Sequence, residues 1–247
     1  MVLTHTTNHT YTHPFPTVTL AFFLRYYSPQ LNPFSAHVLS TDTIESHVDP
    51  ETGRLYTTRI HLKKSRMPSA IIKLLPTSVT GGAGEKSTYV LENSVVDIRE
   101  GWMKTESRNL NFTGVLSVTE SQHYSANPPE QADLASALSA AAARPPMSSN
   151  TWVSTTFSYR STLGSRKADK AAAANEENAR KPFGWISGWG AKRIQSSIET
   201  IASTKTDDQM VKSRDGMKMV LERLRSNGVV AVLRELNRRE GKGVFEA

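Results

Sequence analysis

A chain of 247 residues with no cysteine and a formal net charge of +7 is long enough for one sizeable core or two small ones. The missing cysteine excludes disulfides, thiolate zinc sites and cysteine nucleophiles. Residues 1–159 hold 12 basic and 12 acidic groups and residues 160–247 hold 18 and 11, so the whole excess sits in the last third.

Residues 1–13 are rich in Thr and His, and their β-branched content predicts an opening strand. His5, His9 and His13 recur every four residues. Thr and Asn lie between them, no carboxylate accompanies them and Pro14 follows, which argues against a metal site. Pro16-Thr17 reads as a helix start, with Val18, Ala21, Phe22 and Arg25 on one stripe and Pro29 and Pro33 as stops. The longest apolar run, residues 20–24, is far too short to span a bilayer. The first basic residue is Arg25, so no secretory n-region or Arg-rich presequence is visible, and organelle entry is expected to use another route.

A second strand over 37–48, a turn over 49–53 and a third strand from Arg54 come next. In the third strand Tyr56, Thr58, Ile60 and Leu62 alternate with Leu55, Thr57, Arg59 and His61. It runs into the basic cluster Lys63-Lys64-Ser65-Arg66. After Met67-Pro68 comes an apolar segment, Ala70-Ile71-Ile72-Lys73-Leu74-Leu75, closed by Pro76. Six basic side chains and no acidic one lie between Thr52 and Gly84. A basic lip beside a short apolar segment suits an anionic headgroup and its acyl chain together; the alternative is a solvated turn followed by a core helix. Residues 81–87 resemble a phosphate-binding loop, but Glu85 separates the Gly and Lys that the motif requires to be adjacent, so they read as a surface loop.

Three further strands, 89–97, 102–109 and 115–124, follow one another through short turns, which predicts an antiparallel meander. A Pro/Ala/Ser tract over 126–150 and a charged, Ala-rich stretch over 164–182 read as insertions on either side of a last strand, 152–159. From Gly188 the chain reads as one long amphipathic helix. Its stripe starts with Ile194, Ile198 and Ile201 and resumes with Val211, Met217, Val220, Leu221 and Leu224. Lys205, Lys212 and Arg214 interrupt or flank that stripe, and lysines so placed ordinarily reach for solvent. Asn227-Gly228 ends the helix and a short basic one begins at Val229. The basic last third favours an anionic partner. Without an aromatic-and-basic RNA-binding signature, an acidic membrane ranks ahead of nucleic acid.

Seven strands and a long C-terminal helix without βαβ alternation predict an α+β domain, a curved antiparallel sheet wrapped around that helix with a cavity between them. Nothing in the sequence supplies a catalyst or a cofactor site. There are no paired carboxylates at a plausible site and no metal cluster, and residues 184–188 miss the G-x-S-x-G pattern.

Several stretches together resemble the PRELI domain family of mitochondrial lipid-transfer proteins. They are Ala21-Phe22-Phe23-Leu24-Arg25-Tyr26, Asn32-Pro33-Phe34-Ser35-Ala36-His37-Val38-Leu39-Ser40, His47-Val48-Asp49-Pro50 and Thr57-Thr58-Arg59. Residues 89–97, Met103-Lys104-Thr105 with Arg108-Asn109-Leu110, and Lys212-Ser213-Arg214 with Gly216-Met217 extend the likeness. The resemblance implies a domain over 1–225, a lid loop over a lipid pocket, and a basic extension over 226–247. The opening Met-Val-Leu and the Lys63–Pro68 lid are similar to the branch that carries phosphatidic acid rather than phosphatidylserine. The lid departs from the family where Ala70 stands in place of an aromatic residue. The resemblance further implies headgroup binding by Arg25, His37, Lys64, Lys205 and Lys212. Arg66, Met67, Pro68, Ala70, Ile71, Ile72, Leu74 and Leu75 are the residues it implies for lid and membrane contact. Arg59 and His61 are secondary candidates for the pocket wall. It also implies residence in the mitochondrial intermembrane space, as a heterodimer with a small helical protein that carries twin C-x9-C motifs and packs near the first helix. The function so implied is delivery of phosphatidic acid from outer to inner membrane for cardiolipin synthesis; phosphatidylserine transfer, or an enzyme on a helix-grip scaffold, is the alternative.

Overall fold

The computed structural model describes residues 2–64, 87–111, 113, 116–128, 148–161 and 188–239, with side chains in the last stretch from Asp208 onward. The lid, the Gly-rich loop up to residue 86, residues 129–147 and the second insertion lie outside the described residues.

Seven strands form one sheet: β1 (Val2–Tyr11), β2 (Val38–Val48), β3 (Leu55–Lys64), β4 (Ser87–Asp97), β5 (Trp102–Asn109), β6 (Leu116–Ser125) and β7 (Thr151–Ser161). Their order is β1-β7-β6-β5-β4-β3-β2, with every pairing antiparallel. The meander expected for β4 to β6 is present and extends in both directions to take in β2, β3 and β7, and β1 closes on β7. Two register shifts in β2, at Val38/Ser40 and Thr43/Glu45, mark bulges, which bend and twist a strand. Together with the helices below, this is the α+β architecture expected from the sequence.

Helix α1 (Phe15–Leu24) starts with Pro16 in its first turn, where a fixed φ and a missing N–H cost nothing. Phe15, Val18, Ala21 and Phe22 are completely buried, and truncating a side chain such as Phe22 to Ala costs about 3–5 kcal/mol. The helix stops at Leu24, short of Pro29, as Tyr27 N donates to Leu24 O at 2.9 Å in a tight turn. A 3-10 turn (Pro33–Ser35) follows.

Helices α2 (Gly188–Asn227) and α3 (Val229–Arg239) complete the layer that covers the sheet. Among the described side chains of α2 the buried apolar ones are Met210, Met217, Val220, Leu221 and Leu224, whereas Val211 is 56% exposed; Ile194, Ile198 and Ile201 lie outside the described side chains. The sequence reading was one residue out here. Met210 lies seven positions before Met217 and fourteen before Leu224, which keeps it on their face, while Val211 is rotated by a further 100°. Gly228 (φ +72°) caps α2, its N–H reaching Leu224 O at 3.0 Å; residues other than Gly strain in that conformation. Val232 and Leu236 of α3 belong to the same core cluster as Leu224 and Phe22. Within 226–247 the described residues thus reach the core through these two side chains. At Gly216 an added Cβ would stand 2.6 Å from Asn32 Oδ1, so a larger residue there would have to displace the buried Asn32 side chain. No described helix is long and apolar enough to cross a membrane.

Candidate functional site

One register row crosses the inner face of the sheet. Arg59 on β3 pairs with Glu92 on β4, Glu92 with Ser107 on β5, Ser107 with Glu120 on β6, and Glu120 with Phe157 on β7. In β3 the inward residues are Thr57, Arg59 and His61, so the polar half of the alternation faces in and Ile60 and Leu62 face out. The reason is Glu92. Its side chain is 1% exposed, and Arg25 Nη2 donates to Oε2 at 2.7 Å. Arg59 donates from Nε to Oε1 at 3.0 Å and from Nη2 to the same oxygen. His61 Nε2 stands 3.4 Å from Glu92 Oε2 and Thr41 Oγ1 lies 2.9 Å from His61 Nδ1.

Burial alone would push the Glu92 carboxyl up. The Arg25 charge, with His61 and Arg59, overrides burial and holds it well below the usual carboxylate range. Burial pushes His61 down, so the imidazole is neutral at physiological pH. Two guanidiniums against one carboxylate leave the cluster with one excess positive charge. Phe22 and Tyr26 pack on the Arg25 guanidinium, with its carbon 3.8 and 4.7 Å from their ring centres.

That excess faces a cavity with about 910 Å³ of empty space, part of it open to solvent. Arg25, Tyr26, Phe34 and His37 line it from the α1 end and the following loop; Lys63 lines it from β3. His9 and Tyr11 of β1, Glu120, Gln122 and Tyr124 of β6, and Thr155 and Phe157 of β7 form the sheet side. Met210, Lys212, Arg214 and Met217 of α2 close it. Among the described lining residues four are permanent cations, Arg25, Lys63, Lys212 and Arg214, and one is an acid, Glu120. Arg25 Nε and both ring nitrogens of His9 are buried without a hydrogen-bond partner among the described residues. An unsatisfied buried polar group costs about 1–3 kcal/mol, so a donor left in this state beside a cavity points to a ligand oxygen. Burial, then the charges of Arg214 and Lys218, lower His9 to about 4. Burial pushes the Glu120 carboxyl the other way, up.

Of the residues named from the sequence, Arg25, His37 and Lys212 line this cavity. His37 Nδ1 lies 3.1 Å from Phe34 O. Lys64 is exposed at the last position of β3 and is not among the lining residues, although its backbone N–H reaches His37 O at 2.8 Å. Arg59 and His61 belong to the buried Glu92 cluster and do not line the cavity. The side chain of Lys205 and residues 66–75, the positions named for lid and membrane contact, lie outside the described residues. The sequence reading missed His9, Lys63, Glu120 and Arg214 as wall residues. Strand parity was the available signal for Lys63, because it shares the face of Arg59 and His61.

The PRELI-like family model matches residues 16–158. Protein UPS1, mitochondrial, of Saccharomyces cerevisiae is 32% identical over 224 residues, which is 91% of this chain and 95% of that one. PRELI domain-containing protein 1, mitochondrial, of Homo sapiens is 36% identical over 107 residues, 43% of this chain and 44% of that one. Among solved structures, the Zhui aromatase/cyclase from Streptomyces aligns with a TM-score of 0.44 and 8% identity over 91% of this chain and 96% of that one, a likeness too loose to bear on activity. The family match spans α1 to β7, the segment that holds Arg25, Lys63, Glu92 and Glu120. With a relative aligned along nearly the whole length as well, the chain belongs to the PRELI-like family.

Proposed function

We propose that this chain is a carrier that takes phosphatidic acid from the outer to the inner mitochondrial membrane, through the intermembrane space, and so supplies cardiolipin synthesis. The observation that carries the reading is the convergence of Arg25, Lys63, Lys212 and Arg214 on one cavity, with Arg25 Nε buried and unpartnered there among the described residues. A phosphate monoester bears between one and two negative charges, and charge-assisted bonds to Arg and Lys are the strong kind. Burying it without cations would be prohibitive. Phe34, Phe157, Met210 and Met217 give the same wall apolar and aromatic surface for the start of the acyl chains. Lys64, Lys205 and His37 complete the proposed headgroup set, and residues 66–75 are proposed to meet the membrane. The names of the yeast and human relatives include the word mitochondrial, which supports that location.

The proposed partner is a small helical protein with twin C-x9-C motifs. An apolar groove lined by Pro14, Pro16, Leu20, Leu224 and Val229 beside α1 gives it a surface away from the headgroup cavity. Carriage without chemistry is proposed, so lipid recovered after transfer is unchanged.

The test is transfer between donor and acceptor liposomes by the purified chain. Phosphatidic acid is expected to move fastest, and faster movement of phosphatidylcholine would sink the reading. Phosphatidylserine is the second reading, favoured by one observation: a carboxyl on the cavity wall, Glu120, is able to accept a hydrogen bond from a headgroup ammonium. Faster transfer of phosphatidylserine in the same assay would select it.

A further inference from the structure

We infer that Glu120 meets the headgroup phosphate as a neutral carboxylic acid, sharing a proton with it and donating a hydrogen bond to it, an inference that rests on the phosphatidic acid reading above. The carboxyl is held on the cavity wall by a ladder along β6. Gln122 Nε2 donates to Glu120 Oε1 at 2.9 Å, and Tyr124 OH donates to Gln122 Oε1 at 2.9 Å. No ion pair reaches Glu120 among the described residues. Glu92, two strands away in the same row, is claimed by Arg25 and Arg59.

A phosphate drawn to Arg25 and Lys63 comes to rest beside this carboxyl, because both cations line the same cavity and act on it. Two acids side by side in a partly enclosed site cannot both keep full charge, and one of them holds a proton. The second ionisation of a phosphate monoester falls near about pH 6, so the pair has a proton to share close to neutrality. The facing groups do not cancel this tendency. Burial, the largest influence, and the Glu92 charge disfavour ionised Glu120, while Arg25 and Lys63 favour it, with a net upward push. His9, His37, Lys212 and Arg214 line the same space and face the phosphate too. Their titration is separated from that of Glu120 by comparing variants at this one position.

The full chain is presented with phosphatidic acid in phosphatidylcholine liposomes, and transfer is followed across the neutral pH range. Glu120→Ala is expected to lose about tenfold, the worth of one hydrogen bond to a charged group. Glu120→Gln keeps a donor that cannot ionise, so it is expected to lose the decline of the wild type as pH rises and to exceed it on the alkaline side. Calorimetry of binding in two buffers of different ionisation heat is expected to show net proton uptake by the wild type and less uptake by Glu120→Gln, a difference that a merely structural role would not produce; equal uptake by both would overturn the inference. If Glu120→Gln falls as far as Glu120→Ala, or keeps the wild-type pH profile, the inference is overturned while the carrier reading stands. A wild type that moves no phosphatidic acid sinks the carrier reading instead.

Discussion

Glu92 and Glu120 sit in the same register row, separated by Ser107 and so roughly 10 Å apart by strand spacing. They are the same residue type on the same face of the same sheet. Glu92 is enclosed by Arg25, Arg59 and His61 and is pushed down; Glu120 has Gln122 as its neighbour and is pushed up. The sheet supplies identical positions, and the difference comes from what packs above them. A carboxylate met by guanidiniums becomes part of the framework. One left on a cavity wall remains available to a ligand.

The strongest way to break that comparison is to remove Glu92. Glu92→Ala leaves two buried guanidiniums facing each other, and loss of one partner from a buried ion pair costs about 3–5 kcal/mol. Denaturant unfolding should record that loss, while Glu120→Ala stays below about 1 kcal/mol; equal losses would mean that Glu120 is structural too.

The next effect separates neighbours on β3. Lys63 lines the cavity and Lys64 is exposed at its edge. Charge reversal in a partly desolvated site is worth several kcal/mol, so Lys63→Glu should cut phosphatidic acid transfer about a hundredfold or more. Lys64→Glu should cut it less, and unfolding of either variant should shift by about 0.5 kcal/mol at most. A deeper loss for Lys64→Glu would move headgroup recognition from the cavity wall to the lip.

A smaller change is expected where the two regions share an anchor. Asn32 Nδ2 donates to Arg25 O at 2.9 Å, and Gly216 is what lets α2 come so close to Asn32. Gly216→Ala should therefore destabilise the chain by about 1–3 kcal/mol through overpacking, and a neutral result in thermal unfolding would show that Asn32 moves freely.

The mildest test is pH. Glu92 is held down in the folded state, so its stabilisation is complete above the ordinary carboxylate range and is lost as pH falls below about 4. His9 is lowered from 6.5 to about 4, so the folded state resists its protonation and stability already declines as pH falls from 6.5 to about 4. Unfolding of His9→Gln should show a shallower second slope, because burial lowers His61 and His123 in the same direction, and should keep the first. A unchanged slope in that variant would assign it to another group.

The sequence by itself determined the elements. Alternation over β3 to β7, Pro16 at a helix start and Gly228 at a helix end are local signals, because strand period, fixed φ and left-handed φ are properties of a few adjacent residues. It also carried a partial site, since Arg25, His37 and Lys212 stand in stretches that resemble the family and all three line the cavity. Alternation in β3 could not say which face turns inward. Ile60 and Leu62 look like the core face, yet Arg59 and His61 are buried because Glu92, 33 residues beyond Arg59, is brought opposite by the β3–β4 register. The same register places Lys63, not Lys64, on the cavity wall. Met210 rather than Val211 faces inward, onto the cavity, because the rotation of α2 is set by its packing on α1 and the sheet through Met217, Val220, Leu221 and Leu224. Charge on a buried face is decided by partners distant in sequence, and only the tertiary structure brings those partners together.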